Sequence, residues 1–326
     1  MGTFNLHGGT CESCVAAQSE TVSETATFAP RAAPLANSAP PDTRLPMFAL
    51  GTGGLSSPFE SALSWLRQGG RHIDTGECYG NEKDVGRAIV ASGIARAELT
   101  ITTKIGGCEG EALGFENALT QHRINLHDLG IAYLDLELIH WPGTFGKATA
   151  GGRDPAALRQ ETWRAMLQIQ ANGTKGGTLA VGVSNFLPRH LKDLEAASLP
   201  SPAVNQVEFS AFVWDSALLD YCKSKRITLF AYSPLYKSGS LLRQAAIEKA
   251  ASAHRTSPTK VALRWILQKG VHLISVRSGN PEHQAHNLEA SRPTFELSGA
   301  EMAAIDAIKD GCQGCRAWGG DPNEIP

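Results

Sequence analysis

Short apolar segments alternate with longer amphipathic segments along most of the chain. The short segments are rich in residues that favour β-strands, and eight of them follow one another from Pro46 onward. They are MFALGT at 47–52, RHIDT at 71–75, LTITTKI at 99–105, LDLELIHW at 134–141, LAVGVSNF at 179–186, AVNQVEFS at 203–210, ITLFAYSPL at 227–235 and VHLISVRS at 271–278. Eight such strands predict eight parallel β/α units if helices lie between them.

Segments with helical periodicity do lie between the apolar ones, at 58–69, 82–92, 156–172, 215–225 and 257–270. The last of these carries the clearest end signals. Ser257 can cap the helix, Pro258 suits its first position, and Gly270 can end it in the left-handed conformation. The alternation therefore predicts an α/β chain that closes into a (β/α)8 TIM barrel.

An open, doubly wound sheet is the alternative architecture for the same alternation. A dinucleotide-binding sheet of that kind carries GxGxxG after its first strand. Here Gly51-Thr52-Gly53-Gly54 is followed by Leu55 and Ser56, so that fingerprint fails. The chain also lacks a P-loop and an HExxH motif. These absences favour the barrel.

The composition excludes several classes of protein. Of the 326 residues, 42% are hydrophobic and 19% are charged, which is typical of a globular protein. The formal net charge of −2 argues against a dedicated binder of nucleic acid or of membrane surfaces. No apolar run approaches the roughly 18–20 residues of a membrane helix. We expect no nucleic-acid partner and no membrane partner.

Residues 1–43 predict a low-complexity tail in front of a barrel domain at 44–326. The tail is rich in Ala, Ser, Thr and Pro and has no apolar period, so we expect it to be disordered. It lacks the regions of a secretory signal, and its acids, Glu12, Glu20, Glu24 and Asp42, outnumber Arg31, unlike a transit peptide. We therefore expect a cytoplasmic protein with reduced thiols. A targeting or docking role for the tail stays open.

The chain has seven cysteines, and two pairs have CxxC spacing, Cys11/Cys14 and Cys312/Cys315. Four thiolates could ligate zinc, or each pair could form a redox-active disulfide. Ordinary zinc modules space their pairs by tens of residues, which makes zinc the weaker hypothesis. Incidental thiols are the third interpretation. We predict no metal in catalysis.

Four residues near the carboxyl ends of the predicted strands could act together, since that end of a barrel carries function. Asp74, Lys104 and His140 each end an apolar segment, and Tyr79 follows Asp74 by five residues. A phenol, with its pKa of about 10, donates a proton better beside a cation, which Lys104 could supply. Alone, each residue is explained by capping, packing or a snorkelling lysine. Together they suit protonation of an oxygen while carbon receives hydride.

The segment GGRHIDTGECYGNEKDVGRAI resembles a signature of the aldo-keto reductase superfamily. So do LDLELIHWP, VGVSNF, VNQVEF with LLDYCK, and FAYSPL, in the family's order. The resemblance runs from about residue 45 to about residue 309. It implies a (β/α)8 barrel that binds a nicotinamide cofactor without a Rossmann domain and reduces aldehydes and ketones to alcohols.

The resemblance also implies roles by position. Tyr79 matches the general acid, Lys104 and Asp74 match the pair that lowers its pKa, and His140 matches the residue that orients the carbonyl. Other residues match positions at which the family contacts the cofactor. Ser184, Asn185 and Gln206 match residues that hydrogen-bond the nicotinamide carboxamide, and Tyr232 matches the aromatic residue that stacks on the ring. Ser233 and Leu235 match contacts to the pyrophosphate, and Asp74 also counts among the cofactor-binding positions.

The eighth strand departs from the family pattern, with Ser275-Val276-Arg277-Ser278 followed by His283 and Asn287. Arg277 keeps a guanidinium that could grip a 2′-phosphate, whereas His283 replaces a usual Arg. We predict NADPH (NADP+) as the cofactor with a weakened preference, so that NADH is possible. Arg277 as a surface residue of an enzyme that accepts both cofactors is the alternative.

The substrate pocket departs as well. Gly53-Gly54 stands where a Trp is usual, which predicts a wider mouth, and Trp141 is expected beside Tyr79 and His140 in the pocket. Trp318 could cover the substrate or pack on the barrel exterior.

We expect a small carbonyl substrate and a monomer or weak dimer. A non-catalytic NADPH-binding regulatory or structural subunit is the alternative function, although such a protein needs no proton donor.

Overall fold

The computed structural model describes residues 32–35, 43–108, 112–144, 152–236, 239–292, 294–311, 316–317 and 320–326. Cys11, Cys14, Cys312, Cys315 and Trp318 lie outside these residues, as does most of the predicted tail. Residues 32–35 of that tail are described. Their strand β1 (Ala32–Pro34) pairs antiparallel with β2 (Arg44–Pro46).

Eight parallel strands form a closed barrel, which confirms the predicted (β/α)8 architecture. Each neighbour in sequence is a neighbour in the barrel, and the last strand pairs with the first. The strands are β3 (Phe48–Gly51), β4 (His72–Asp74), β5 (Thr100–Ile105), β6 (Leu134–Ile139), β7 (Thr178–Ser184), β8 (Val204–Glu208), β9 (Thr228–Tyr232) and β10 (Leu273–Val276). Each lies within or at the edge of one of the eight predicted apolar segments.

Helices cover the outside of the barrel. They are α1 (Pro58–Arg67), α2 (Glu82–Ser92), α3 (Phe115–Leu129), α4 (Pro155–Ala171), α5 (Pro188–Ala196), α6 (Ser216–Ser224), α7 (Ala245–Ala253), α8 (Pro258–Gln268), α9 (Pro281–Ala290) and α10 (Gly299–Asp306). Helix α8 begins as predicted, since the Ser257 side chain accepts a hydrogen bond from the Lys260 amide, and Gly270 has a φ of 85°. Among the described residues, no helix has the length and apolarity to cross a membrane.

Two apolar layers hold the barrel together. The larger lies between the strands and the helices and includes three fully buried tryptophans, Trp65, Trp163 and Trp265. The smaller fills the barrel interior, where Leu35 and Leu45 of the β1–β2 hairpin pack in one cluster with strand residues such as Leu138 and Phe230. A barrel interior packed in this way is a core and not a pore. The place for a ligand in such a barrel is the end at which the strands have their carboxyl ends.

A buried polar network lies between strands β5 and β6 and helices α2 and α3. The hydroxyl of Thr103 donates to Glu82, and His122 Nδ1 lies 2.8 Å from a carboxylate oxygen of Glu137. Burial raises the pKa of Glu82 to about 7, more than the Thr103 hydrogen bond lowers it, and the charge of Glu137 adds to the rise. Glu82 therefore holds a proton in the folded protein at a pH where an exposed glutamate does not.

Stability should fall with rising pH because of Glu82. The folded pKa of about 7 lies above the unfolded value of about 4.3, so the stabilising effect is complete below the unfolded value and is lost as pH rises through 7. We expect a loss of up to about 3 kcal/mol in the free energy of unfolding between about pH 4 and pH 8. Urea titrations across this range should show a flatter profile for Glu82→Gln, while the exposed Glu98→Gln keeps the wild-type profile.

Candidate active site

A cavity of about 720 Å³ opens at the carboxyl ends of the barrel strands. This volume is in the range of pockets that bind cofactors and small ligands. Its wall brings together residues that are far apart in the chain. The predicted site residues that line it are Asp74, Tyr79, His140, Trp141, Ser184, Asn185, Gln206, Tyr232, Ser233, Leu235 and Arg277.

Lys104 lies behind the cavity wall and is paired with Asp74. Its Nζ donates to Asp74 Oδ1 at 2.6 Å and to the Thr75 carbonyl at 2.7 Å, and only 1% of its side chain is exposed. The other oxygen of Asp74 accepts from Ser275 Oγ at 2.7 Å and from Gln206 Nε2 at 3.0 Å. Both buried charges therefore have hydrogen-bond partners, which such a pair needs in order to be tolerated.

The charge of Lys104 is maintained despite its burial. Burial acts to lower the pKa of the ammonium, but the negative charge of Asp74, with smaller contributions from Tyr79, outweighs it and raises the pKa. A fixed cation thus lies below the cavity at neutral pH. Its Nζ is 5.2 Å from the centroid of the Tyr79 ring.

Tyr79 ends a short 3-10 helix, Glu77–Tyr79, that follows β4, so the strand that ends at Asp74 also places Tyr79 at the cavity. Its hydroxyl lies 3.5 Å from His140 Nε2. Gly53 faces the Tyr79 ring so closely that a Cβ there would lie 3.2 Å from the ring, which leaves space only for glycine or a shifted phenol. Gly53, which stands where the family usually has a tryptophan, therefore leaves the space that the Tyr79 ring occupies.

The pKa of Tyr79 differs in direction from the sequence-based expectation. Burial raises it above 10 and outweighs the charge of Lys104, which acts to lower it. The expected lowering by the Lys104–Asp74 pair is thus one contribution and not the net effect. With a raised pKa the phenol keeps its proton at neutral pH, which is the form that can donate.

His140 is neutral for a related reason. Burial lowers its pKa well below 6.5, and the positive charge of Lys104 lowers it further. The ring therefore carries one proton. Nε2 faces Tyr79, and Nδ1 lies 3.5 Å from Sγ of Cys78.

A disulfide between Cys78 and Cys108 lies at the cavity, contrary to the expectation of reduced thiols. Cys78 precedes Tyr79 in the loop after β4, and Cys108 lies in the loop after β5 and lines the cavity. The two cysteines do not have CxxC spacing, so the cysteine pattern did not predict this pair. Adjacent strands of the barrel are the signal that could have found it.

Cys78, Cys108 and His140 form the one group among the described residues with three potential metal ligands close together. Their ligand atoms lie within 4.8 Å of one another. Thiolates bind metals, whereas disulfide sulfurs are poor ligands. With the disulfide formed, the group offers only the imidazole.

The opposite wall of the cavity holds a connected set of polar side chains. The Tyr232 hydroxyl donates to Asn185 Oδ1 at 3.0 Å, and Asn185 Nδ2 donates to the His140 carbonyl at 3.0 Å. Three non-glycine residues of this wall have positive φ, with values of 63° at Asn185, 49° at Ser233 and 58° at Tyr236. Such backbone conformations cost free energy and are often found at binding sites, although Ser198, Arg226 and Arg255 adopt them away from this cavity.

Not every predicted cofactor residue reaches the cavity. Ser278, His283 and Asn287 do not line it. His283 and Asn287 both lie on α9, where the side chain of His283 is exposed and that of Asn287 is buried. Arg277 does line it and donates to the carbonyls of Gly53 and Gly54, each at 3.4 Å. Among the described residues that line the cavity, Arg277 is the one lysine or arginine.

The end of the chain also reaches the cavity, through Gly320 and Glu324. It is held in place by the barrel helices, because Arg159 donates to the Pro326 carbonyl at 2.9 Å and Arg189 to the Ile325 carbonyl at 2.8 Å. Trp318, the residue of this segment that was expected either over the substrate or on the barrel exterior, lies outside the described residues.

Comparisons with known proteins agree on one family. Residues 49–310 match the model of the aldo/keto reductase family. An aldo-keto reductase of Mycolicibacterium vanbaalenii is 38% identical over 272 residues, which span 83% of this chain and 90% of that protein. A glyoxal reductase of Bacillus subtilis is 38% identical over 267 residues, spanning 81% and 89%.

Solved structures give the same result. An aldo-keto reductase from a deep-sea metagenome library is 31% identical with a TM-score of 0.74, covering 86% of this chain and 96% of that one. An aldo-keto reductase of Bombyx mori, crystallised in complex with NADP, is 26% identical with a TM-score of 0.77, covering 92% of this chain and 100% of that one.

Proposed function

The chain belongs to the aldo/keto reductase family and is an oxidoreductase, and we propose that it reduces small aldehydes or ketones to alcohols with NADPH. One observation carries this proposal. The Tyr79 hydroxyl and His140 Nε2, 3.5 Å apart, face one cavity above the buried Lys104–Asp74 pair. A carbonyl oxygen held between the two groups would meet two hydrogen-bond donors when the proton of His140 is on Nε2.

The residues would act as follows. When bound, the dihydronicotinamide supplies the hydrogen and electron pair that the carbonyl carbon receives. His140, neutral and protonated at Nε2, orients the carbonyl by donating to its oxygen. Tyr79 transfers its phenolic proton to the same oxygen as negative charge develops there. Lys104 stabilises the phenolate that remains until it regains a proton from water, and Asp74 holds Lys104 in place.

The polar wall fits a nicotinamide cofactor by its chemistry. Ser184, Asn185 and Gln206 offer the amide and hydroxyl groups that a carboxamide can pair with, and Tyr232 offers an aromatic ring. The strained backbone at Asn185 and Ser233 supports a binding role. The NADP complex of the Bombyx mori relative supports the choice of cofactor.

Arg277 is the residue through which we expect NADPH to be preferred over NADH. A charge-assisted pair with a phosphate is worth about tenfold to a hundredfold in affinity. Arg277→Ala should therefore raise KM for NADPH by about tenfold or more, while KM for NADH serves as the internal control and changes little. An equal change for both cofactors would show that Arg277 does not contact the 2′-phosphate.

The proposed function is tested by the loss of NADPH absorbance with a panel of aldehydes, ketones, sugars and α-dicarbonyls. The panel includes α-dicarbonyls because the Bacillus subtilis relative is named a glyoxal reductase. Turnover of at least one class is expected. Tight NADPH binding with no turnover across the panel would instead support the non-catalytic binding role.

A further inference from the structure

The Cys78–Cys108 disulfide lies at the one ring nitrogen of His140 that the proposed reaction does not use. Cys78 Sγ is 3.5 Å from Nδ1, while Nε2 is 3.5 Å from the Tyr79 hydroxyl on the other side of the ring. The imidazole is thus held between a sulfur and a phenol. Nothing in the proposed reaction requires a disulfide here.

The oxidation state of this sulfur determines whether Nδ1 can accept a hydrogen bond from it. A disulfide sulfur has no hydrogen and can only accept, so it pairs with a ring whose proton is on Nδ1. A thiol of Cys78 can also donate its S–H, which stabilises a ring whose proton is on Nε2. Only the second tautomer donates to a carbonyl oxygen beside Tyr79. In the first, Nε2 accepts from the Tyr79 hydroxyl and competes with the substrate for its proton.

We propose that Cys78 and Cys108 are a thiol–disulfide pair that sets the tautomer of His140, with the reduced pair supporting carbonyl reduction and the disulfide opposing it. Cys78 is a positioning residue in this scheme, since it acts through His140. The inference deepens the proposed function and rests on it for the effect on rate. The state of the ring itself does not depend on that function.

A small disulfide in solution can reach Cys108 and oxidise the pair. Cys108 is exposed and lines the cavity, whereas Cys78 is only partly exposed. The Cys108 thiolate attacks one sulfur of a low-molecular-weight disulfide and releases one thiol. The Cys78 thiolate then displaces the second thiol from the mixed disulfide and forms the protein disulfide. The two protein thiols are oxidised, the small disulfide is reduced to two thiols, and a dithiol reverses the exchange.

Kinetics of the two forms test the effect on rate. The protein is treated either with dithiothreitol or with oxidised glutathione, both with EDTA so that no metal binds the free thiols, and is then assayed with NADPH and an aldehyde. We expect kcat of the oxidised form to be lower by about tenfold, because one hydrogen bond at Nδ1 biases the tautomers by about that factor. Equal kcat values for the two forms would overturn the proposal.

Two matched variants separate an effect of the disulfide on the His140 tautomer from an effect on the loops that carry the two cysteines. Neither Cys78→Ala nor Cys108→Ala forms the disulfide, but only Cys108→Ala retains the S–H donor at Nδ1. Compared after treatment with dithiothreitol, kcat of Cys78→Ala should be about twofold lower than that of Cys108→Ala, because the two tautomers of a ring without a partner at Nδ1 are populated about equally. Cys78→Ser, which restores an O–H donor, should recover part of this difference. If the two alanine variants behave alike, the disulfide acts only on the loops and the proposal is wrong.

A spectroscopic measurement reads the ring directly and needs no turnover. Nitrogen-15 NMR of histidine-labelled protein distinguishes Nδ1–H from Nε2–H, and the His140 signals are those missing from His140→Asn. We expect Nε2–H in the reduced protein and Nδ1–H in the oxidised protein. If this change occurs but neither form reduces a carbonyl, the proposed function fails while the tautomer control stands. If the tautomer is the same in both forms, the control fails whatever the activity.

Discussion

Tyr79→Phe is expected to lower kcat for carbonyl reduction by about a thousandfold, because general acid catalysis contributes about 10²–10⁴ to rates. The substitution removes one oxygen atom and leaves the ring seated between Gly53 and His140. Binding of NADPH should change by less than about twofold, since the phenol is proposed to act on the substrate and not on the cofactor. Steady-state kinetics and fluorescence titration of NADPH measure the two effects separately.

Tyr221→Phe provides the matched control for this substitution. Tyr221 lies on α6 and donates its hydroxyl to Glu195 at 2.7 Å, away from the cavity. It should lose neither activity nor cofactor affinity. A Tyr79→Phe protein with a tenth or more of the wild-type kcat would show that another group protonates the substrate. Loss of NADPH binding in the same variant would show instead that the ring, and not its hydroxyl, is what matters.

The barrel could be predicted from the sequence because its strands are buried on both faces and so appear as continuous apolar runs. The residues at the ends of those runs must lie on one rim of a barrel, so the sequence alone predicts that Asp74, Tyr79 and His140 lie close together. Five helices were not predicted, namely α3, α5, α7, α9 and α10. In α3 and α9 the buried faces include polar residues such as His122 and Gln284, so apolar periodicity is weak there.

Tertiary contacts account for what the sequence did not predict. Cys78 and Cys108 are 30 residues apart with no motif between them, and only the pairing of β4 with β5 brings their loops together. The net direction of the Tyr79 pKa depends on how deeply the phenol is buried, which no spacing reveals. Ser275 was noted only as part of a departure from the family pattern, yet it donates to Asp74.

The buried pair of Lys104 and Asp74 should affect stability and activity in separable ways. Lys104→Met leaves the Asp74 carboxylate, 5% exposed, without its cation. Removing one partner of a buried pair costs about 3–5 kcal/mol in the free energy of unfolding. As a control, Lys260→Met breaks the more exposed pair with Glu289 and should cost less than about 1 kcal/mol.

The double variant Asp74→Asn/Lys104→Met removes both charges while the Asn oxygen can still accept from Ser275 and Gln206. Because a neutral pair of similar volume carries no uncompensated charge, we expect most of the lost stability to return. Activity should not return with it. The phenolate that Tyr79 forms would still lack its cation, and kcat should stay lower than wild type by about a hundredfold. Urea unfolding and kcat are measured on the wild type, Lys104→Met, Lys260→Met and the double variant. Together they separate the effect of the pair on stability from its effect on activity. Recovery of kcat together with stability would mean that the pair supports the fold alone and that Tyr79 needs no cation beneath it.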